Sequence, residues 1–230
     1  MKTTVSTIIE EIKAGRRPKS KKRRRDNPRD VFHEYLDDAF WIAATTIHDK
    51  SKSSMNEKRL ATSNLIVNHV TGIEAFFRNV VVHNKAWSGN GIEALMREKI
   101  SISDAYSLIQ KGNVRLEHVI AETFSFNELS QIGTVMKALT GCTKDFWVEV
   151  EEHEVDTLDA GHGLVTINFL DMHPDWRKET LEMYKERNRY VHEGVMTKRN
   201  SRSTVELHNL VKHLIDHSND YLVQRWKIKS

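Results

Sequence analysis

Glu186-Arg187-Asn188-Arg189-Tyr190-Val191-His192-Glu193-Gly194 is the stretch on which the fold and chemistry of this chain turn. It sets an always-charged guanidinium five residues before an imidazole. Arg187 offers a phosphate a fork of donors. His192 can take or give a proton. Asn188 adds a polar amide directly after the arginine. Gly194 signals that the carrying helix stops just past the histidine. Upstream, Pro174 marks a start. Trp176, Thr180 with Leu181, Tyr184, Arg187 with Asn188, and Val191 then recur at helical spacing.

The chain holds 16 arginines and 12 histidines in 230 residues. Chance alone then yields roughly one Arg-x4-His pair, so context has to decide. A second pair is present, Arg78-Asn79-Val80-Val81-Val82-His83. It lies inside a long apolar segment without an adjacent glycine, where a regular helix sets its two side chains about 140° apart. Arg78 therefore reads as a surface or helix-packing residue. Arg187 and His192 share that spacing. Either unwinding near Gly194 or a twofold axis through the helix would restore convergence.

Outward from the motif, the chain reads as helical. Asn27-Pro28 opens a helix to about His48, with Val31, Tyr35, Ala39 and Ala43 beside Phe32, Leu36 and Phe40. Ser54-x-x-Glu57 reads as a capping box. The helix behind it is expected to reach about Trp87, with Ile66, Val70, Ile73, Phe77 and Val81 inward. Short helices are expected near 92–99, 103–110, 114–123 and 127–140. The last carries a second box, Ser125-x-x-Glu128, and stops at Gly141. Residues 143–173 break the pattern. Phe146, Val148 and Val150 alternate with Trp147, Glu149 and Glu151. A turn at 159–163 precedes Val165-Thr166-Ile167, so a β-hairpin insertion is expected here. His153, Asp156, His162 and His173 lack metal-ligand spacing, so no metal and no cofactor is expected. Ser203-x-x-Glu206 caps a last helix to about Trp226, with Leu207, Val211, Leu214, Tyr221 and Leu222 inward.

Three prolines and ten glycines leave room for long helices, and 39% hydrophobic residues suffice for a core. The single cysteine, Cys142, excludes an internal disulfide framework. No run approaches 18 apolar residues and no signal peptide opens the chain, so a cytoplasmic protein without a membrane partner is expected. Charge is uneven. Residues 1–29 carry a net +8 against a total of +3, so the remaining 201 carry −5. The excess peaks around Lys21, Lys22, Arg23, Arg24 and Arg25. Such a block repels itself, stays extended and is suited to gripping phosphates. Residues 1–28 are thus expected to form a disordered basic arm, and 29–228 a helical domain.

The motif, the segment Asn68-His69-Val70-Thr71-Gly72-Ile73-Glu74-Ala75-Phe76-Phe77, and the run from Phe124 to Gly141 together resemble the HEPN superfamily. Its ribonuclease members carry Arg-x4-6-His. The resemblance spans roughly 56–226, with 143–173 longer than the plain pattern. It implies a mainly α-helical bundle that dimerises through the motif helix. It further implies a metal-independent endoribonuclease of the toxin, abortive-infection or antiviral-defence kind. The 2′-hydroxyl of RNA would attack the adjacent phosphate and leave a 2′,3′-cyclic phosphate. Under it Arg187 steadies the phosphorane, His192 shuttles protons, and Asn188 orients either of them or contacts the phosphate, with Glu74 and Tyr190 in support. The implied partners are RNA, a second copy of the chain, and an antitoxin or regulatory protein. The alternative is an inactive HEPN-type module that binds RNA or protein. A third reading is a scaffold tethered to nucleic acid by its basic arm.

Overall fold

The computed structural model describes residues 28–48, 54–83, 103, 106, 110, 116–159 and 163–226. The basic arm with Lys21–Arg25, the helix expected at 92–99, and the turn at 160–162 lie outside the described residues. The described part is mainly helical. It comprises α1 (Pro28–His48), α2 (Met55–His83), α3 (Leu116–Thr123), α4 (Leu129–Thr140), α5 (Phe146–Glu152), β1 (Glu154–Asp159), β2 (Gly163–Asn168), α6 (Phe169–Met172), α7 (Trp176–Glu193) and α8 (Ser201–Trp226). The chain divides into two compact units. One comprises Met1–Pro28 with Phe77–Phe146, the other Arg29–Phe76 with Trp147–Ser230.

In the first unit, Phe77 meets Phe146 edge to face at 6.0 Å. Ile132, Val135, Met136 and Leu139 of α4 are buried as the helical stripe requires. Gly141 ends α4 in the left-handed region at φ 62°, its N–H returning to the Lys137 carbonyl. The expected Ser125 capping box does not form. Ser125 Oγ instead donates to Asn127 Oδ1, and Glu128 takes the N-cap position without a side-chain cap. Asn127 takes the Ser125 hydroxyl in both directions, its own N–H donating to Oγ at 3.3 Å where the Glu128 N–H would have.

The second unit carries the motif. The Ser54 box at the start of α2 is formed in both directions. Ser54 N–H donates to Glu57 Oε2 at 2.5 Å, and Glu57 N–H to Ser54 Oγ at 3.2 Å. Along α2, Ile66, Val70 and Ile73 are buried. By length and composition α2 is apolar enough to cross a membrane, and 56% of its most apolar window is buried within the protein. On α1 the buried stripe is Phe32, Leu36, Ala43, Ala44 and Ile47, while Val31 and Tyr35 are exposed. The stripe is thus rotated relative to the expected one. Gly72 is the point of closest approach: a Cβ there would stand 2.9 Å from Phe32 Cε2.

Residues 146–152 were expected as a strand and form α5 instead. Phe146, Trp147 and Val150 are all buried, which a helical turn achieves and an alternating strand would not. The hairpin follows one element later. β1 and β2 pair antiparallel from Glu154↔Asn168 to Asp159↔Gly163. Asn168 then caps α6, accepting from Asp171 N–H at 2.8 Å. The start of α8 is capped by Asn200, whose Oδ1 accepts from Ser203 N–H at 2.9 Å. Glu206 does not close the expected box; it pairs with Arg202 at 2.9 Å.

Candidate functional site

The motif helix α7 begins at Trp176, two residues later than the proline suggests, because Pro174 and Asp175 form a turn. Trp176 anchors it. Its ring is buried against Trp147 and Phe169, each at 5.4 Å, and its Nε1 donates to Glu151 Oε1 at 2.6 Å. Arg177 forks onto the same carboxylate at 2.7 and 3.0 Å. From this anchor Thr180, Met183 and Tyr184 continue the buried stripe. Leu181 and Val191, expected on it, are 48% and 50% exposed.

The other end of α7 is closed by backbone. Gly194 adopts φ 69°, its N–H reaching the Tyr190 carbonyl at 3.1 Å, and Val195 N–H reaches the Arg189 carbonyl at 3.3 Å. The bond from Gly194 to Tyr190 is an αL closure by a left-handed glycine, so His192 is not needed as a cap. Its side chain is exposed, and among the described residues nothing bonds to it. The exit loop is pinned back. Thr197 N–H donates to Ser63 Oγ at 3.0 Å, and Thr197 Oγ1 donates to Glu186 Oε2 at 2.6 Å. Arg199 Nε shares its N–H between both Glu186 oxygens at 3.1 and 3.2 Å, so the carboxylate preceding Arg187 is already engaged.

Arg187 is half-buried. Its Nη1 donates to Asn188 Oδ1 at 2.9 Å. Its Nε is buried without a hydrogen-bond partner, and no carboxylate pairs with it among the described residues. Tyr184 lies beside it. Burial first, and Glu74 second, push the Tyr184 hydroxyl well above its usual range, while Arg187 pulls it down. Glu74, Tyr184 and Arg187 therefore share one electrostatic neighbourhood on the inner side of α7. Tyr190 reaches across to α2, its hydroxyl donating to Asn64 Oδ1 at 3.0 Å.

Neither a family model, nor a curated protein, nor a solved structure matches this chain. The site rests on its own geometry. That geometry joins Arg187 to Asn188 and brings Glu74 near through Tyr184. It does not join His192 to Arg187. The helix stays regular through Glu193, so unwinding near Gly194, one of the two routes to convergence, is absent. On a regular helix the two side chains leave the axis about 140° apart.

The second Arg-x4-His pair is differently placed. Arg78 is exposed, and His83 Nδ1 donates to the carbonyl of Asn79 at 2.9 Å. Its imidazole is committed to its own helix.

Histidines cluster elsewhere. His173 Nε2 lies 2.8 Å from His213 Nδ1, and His153 packs edge-on against Tyr221 at 5.8 Å. His162 and the Asp156 side chain fall outside the described residues. Among the described residues no group of three or more His, Cys, Asp or Glu side chains is arranged to hold a metal ion. Asn64 and Tyr184 were not visible in the sequence as site residues. Each lies in an ordinary helical pattern and gains meaning only from what the fold sets beside it.

Proposed function

We propose that this chain is an endoribonuclease of the HEPN type, acting as a toxin or defence factor on RNA. One observation carries the reading. A half-buried guanidinium, fixed by Asn188 and with no paired carboxylate among the described residues, stands five residues before an uncommitted histidine on a helix whose end is closed by backbone. The buried Nε of this half-buried arginine has no acceptor, which is costly unless an anion completes it. A phosphodiester is the anion its fork fits.

In the reaction, the 2′ oxygen forms a bond to phosphorus and the bond to the 5′ oxygen breaks. His192 takes the 2′ proton, and the departing 5′ oxygen gains one. Arg187 stabilises the charge that builds on the phosphorane oxygens. Two copies of α7 about a twofold axis would supply the guanidinium and imidazole that one regular helix holds apart. Leu181, Val191 and Val195, each 48–50% exposed along α7 and its exit, offer apolar surface for that contact.

The separation of Arg187 and His192 within one chain also favours a second reading, an RNA- or protein-binding module without turnover. Cleavage of RNA in the presence of a chelator, compared between wild type, Arg187→Ala and His192→Ala, decides between them. Products with 2′,3′-cyclic phosphate ends, lost in both variants, are the expected result.

A further inference from the structure

A groove of about 710 Å³ opens between α1 and α2. Ala39, Ile42, Leu60, Ala61 and Leu65 give it apolar walls, and Ile42 and Leu60 stay 73% and 44% exposed at its surface. Its polar groups are arranged by two tyrosines. Tyr35 donates its hydroxyl to Asn68 Oδ1 at 2.9 Å, and Tyr190 donates to Asn64 Oδ1 at 3.0 Å. Each amide oxygen thereby has one of its two acceptor positions taken, and each Nδ2 keeps its two N–H donors for a ligand. Among the described residues neither donor has an acceptor. The two asparagines stand one turn apart on α2 and share a face. Asp38 and Glu57 also line it.

The groove adjoins the motif, because the tyrosine that orients Asn64 sits between Arg187 and His192 in the chain. We propose that it is a nucleobase subsite, taking a guanine next to the phosphate held by Arg187. This rests on the ribonuclease reading. The acidic lining repels phosphate, so the base and not the backbone enters. The apolar walls and the exposed face of Tyr35 suit a flat ring. Two amide donors match the O6 and N7 acceptors of guanine, and Asp38 matches its N1–H and N2–H donors. Uracil has no exocyclic amine. Adenine presents an amine where guanine presents O6. Cytosine offers two acceptors but only its N4 amine as a donor, whereas guanine gives O6 and N7 to the two amides and both N1–H and N2–H to the carboxylate.

The test uses the full chain and the double variant Asn64→Asp/Asn68→Asp. Aspartate keeps the oxygen that each tyrosine needs and replaces the outward donor with an acceptor. The calorimetric probes are guanosine, adenosine, cytidine and uridine 3′-monophosphates, with inorganic phosphate as the control for added charge. Wild type should prefer the guanosine nucleotide. The variant should lose that preference, by about tenfold or more in affinity for two hydrogen bonds, while inorganic phosphate binding holds.

Equal binding of all four nucleotides by wild type, or an unchanged preference in the variant, would overturn the subsite. Altered sedimentation of the variant with unaltered nucleotide binding would give the groove to a second copy of the chain and overturn it too. The ribonuclease reading fails separately. Guanosine preference without any RNA cleavage would remove the reaction and leave the base-binding groove standing. Cleavage with base preference untouched by the variant would do the reverse.

Discussion

Tyr190 reaches Asn64 across 126 residues of sequence, its hydroxyl donating to the amide oxygen at 3.0 Å. This bond ties the motif turn of α7 to the middle of α2. Tyr190→Phe removes it while keeping the ring. The site is exposed, so stability should fall by only about 0.5–1 kcal/mol. The catalytic effect should be larger than the stability effect if the bond sets the register of Arg187. Thermal melts alongside cleavage rates measure both, and a variant with lower stability but full activity would reduce Tyr190 to a packing residue.

The two Arg-x4-His pairs should separate cleanly in activity. Arg187→Ala and His192→Ala should each lower cleavage by at least about a hundredfold, the usual scale for a general acid–base. Arg78→Ala should spare it, since Arg78 is exposed and His83 is held by Asn79. Full activity in both Arg187→Ala and His192→Ala would remove the site altogether.

The N-terminal anchor of α7 should be expensive to cut. Glu151 accepts from buried Trp176 Nε1 and from Arg177 at once. Glu151→Ala would leave the indole N–H buried without an acceptor, a loss of about 1–3 kcal/mol. The Arg177 share adds little, because that side chain is 43% exposed. Denaturant unfolding of the variant checks the figure. A stability within about 0.5 kcal/mol of wild type would show that water replaces the carboxylate.

Helices with long apolar stripes were legible in the sequence, because burial at 3.6-residue spacing leaves a long trace. The bounds of α1 and the glycine stop of α7 emerge where composition places them. Seven-residue α5 did not show itself. Phe146, Val148 and Val150 alternate, while Phe146, Trp147 and Val150 also fit one helical face. Only tertiary burial of Trp147 chose between the two. The Ser125 and Ser203 boxes failed for a local reason: the Asn127 N–H takes the Ser125 Oγ, and the Asn200 side chain takes the Ser203 N–H. Arg187 and His192 were legible as chemistry but not as geometry. Asn64 and Asn68 carry no signal on an exposed helix face until distant tyrosines orient them.

Acid should unfold the protein earlier than its carboxylates alone require. Burial, chiefly, holds His69 down at about 3 and His173 and His208 at about 4. Repulsion from neighbours adds to it: His208 on His69 and His213 on His173 once they protonate, and the Lys212 ammonium on His208. In the unfolded chain all three titrate near 6.5. Below that pH the unfolded state binds protons that the fold refuses, so stability is lost as pH falls from about 6.5 towards 4. Above 6.5 these groups contribute no slope. Melting temperature measured from pH 8 to 4 should be flat at first and then drop. A flat profile down to pH 4.5 would mean that the histidines are not buried neutral.

The last expectation concerns the shared site. Arg187 and His192 diverge on one regular helix, so a single chain cannot bring both to one phosphate without distortion. A twofold axis through α7 sets two copies of each across one cleft. Two guanidinium groups would then face each other unneutralised, and a bound phosphate would relieve that repulsion and tighten the dimer. Sedimentation should therefore show a homodimer that phosphate or RNA strengthens, with residues near 184–195 protected in it. Arg187→Ala chains mixed with His192→Ala chains should regain partial activity, because a mixed dimer keeps one intact arginine opposite one intact histidine. A fully active monomer would refute the shared site. So would a mixture that stays inactive although subunits are shown to exchange.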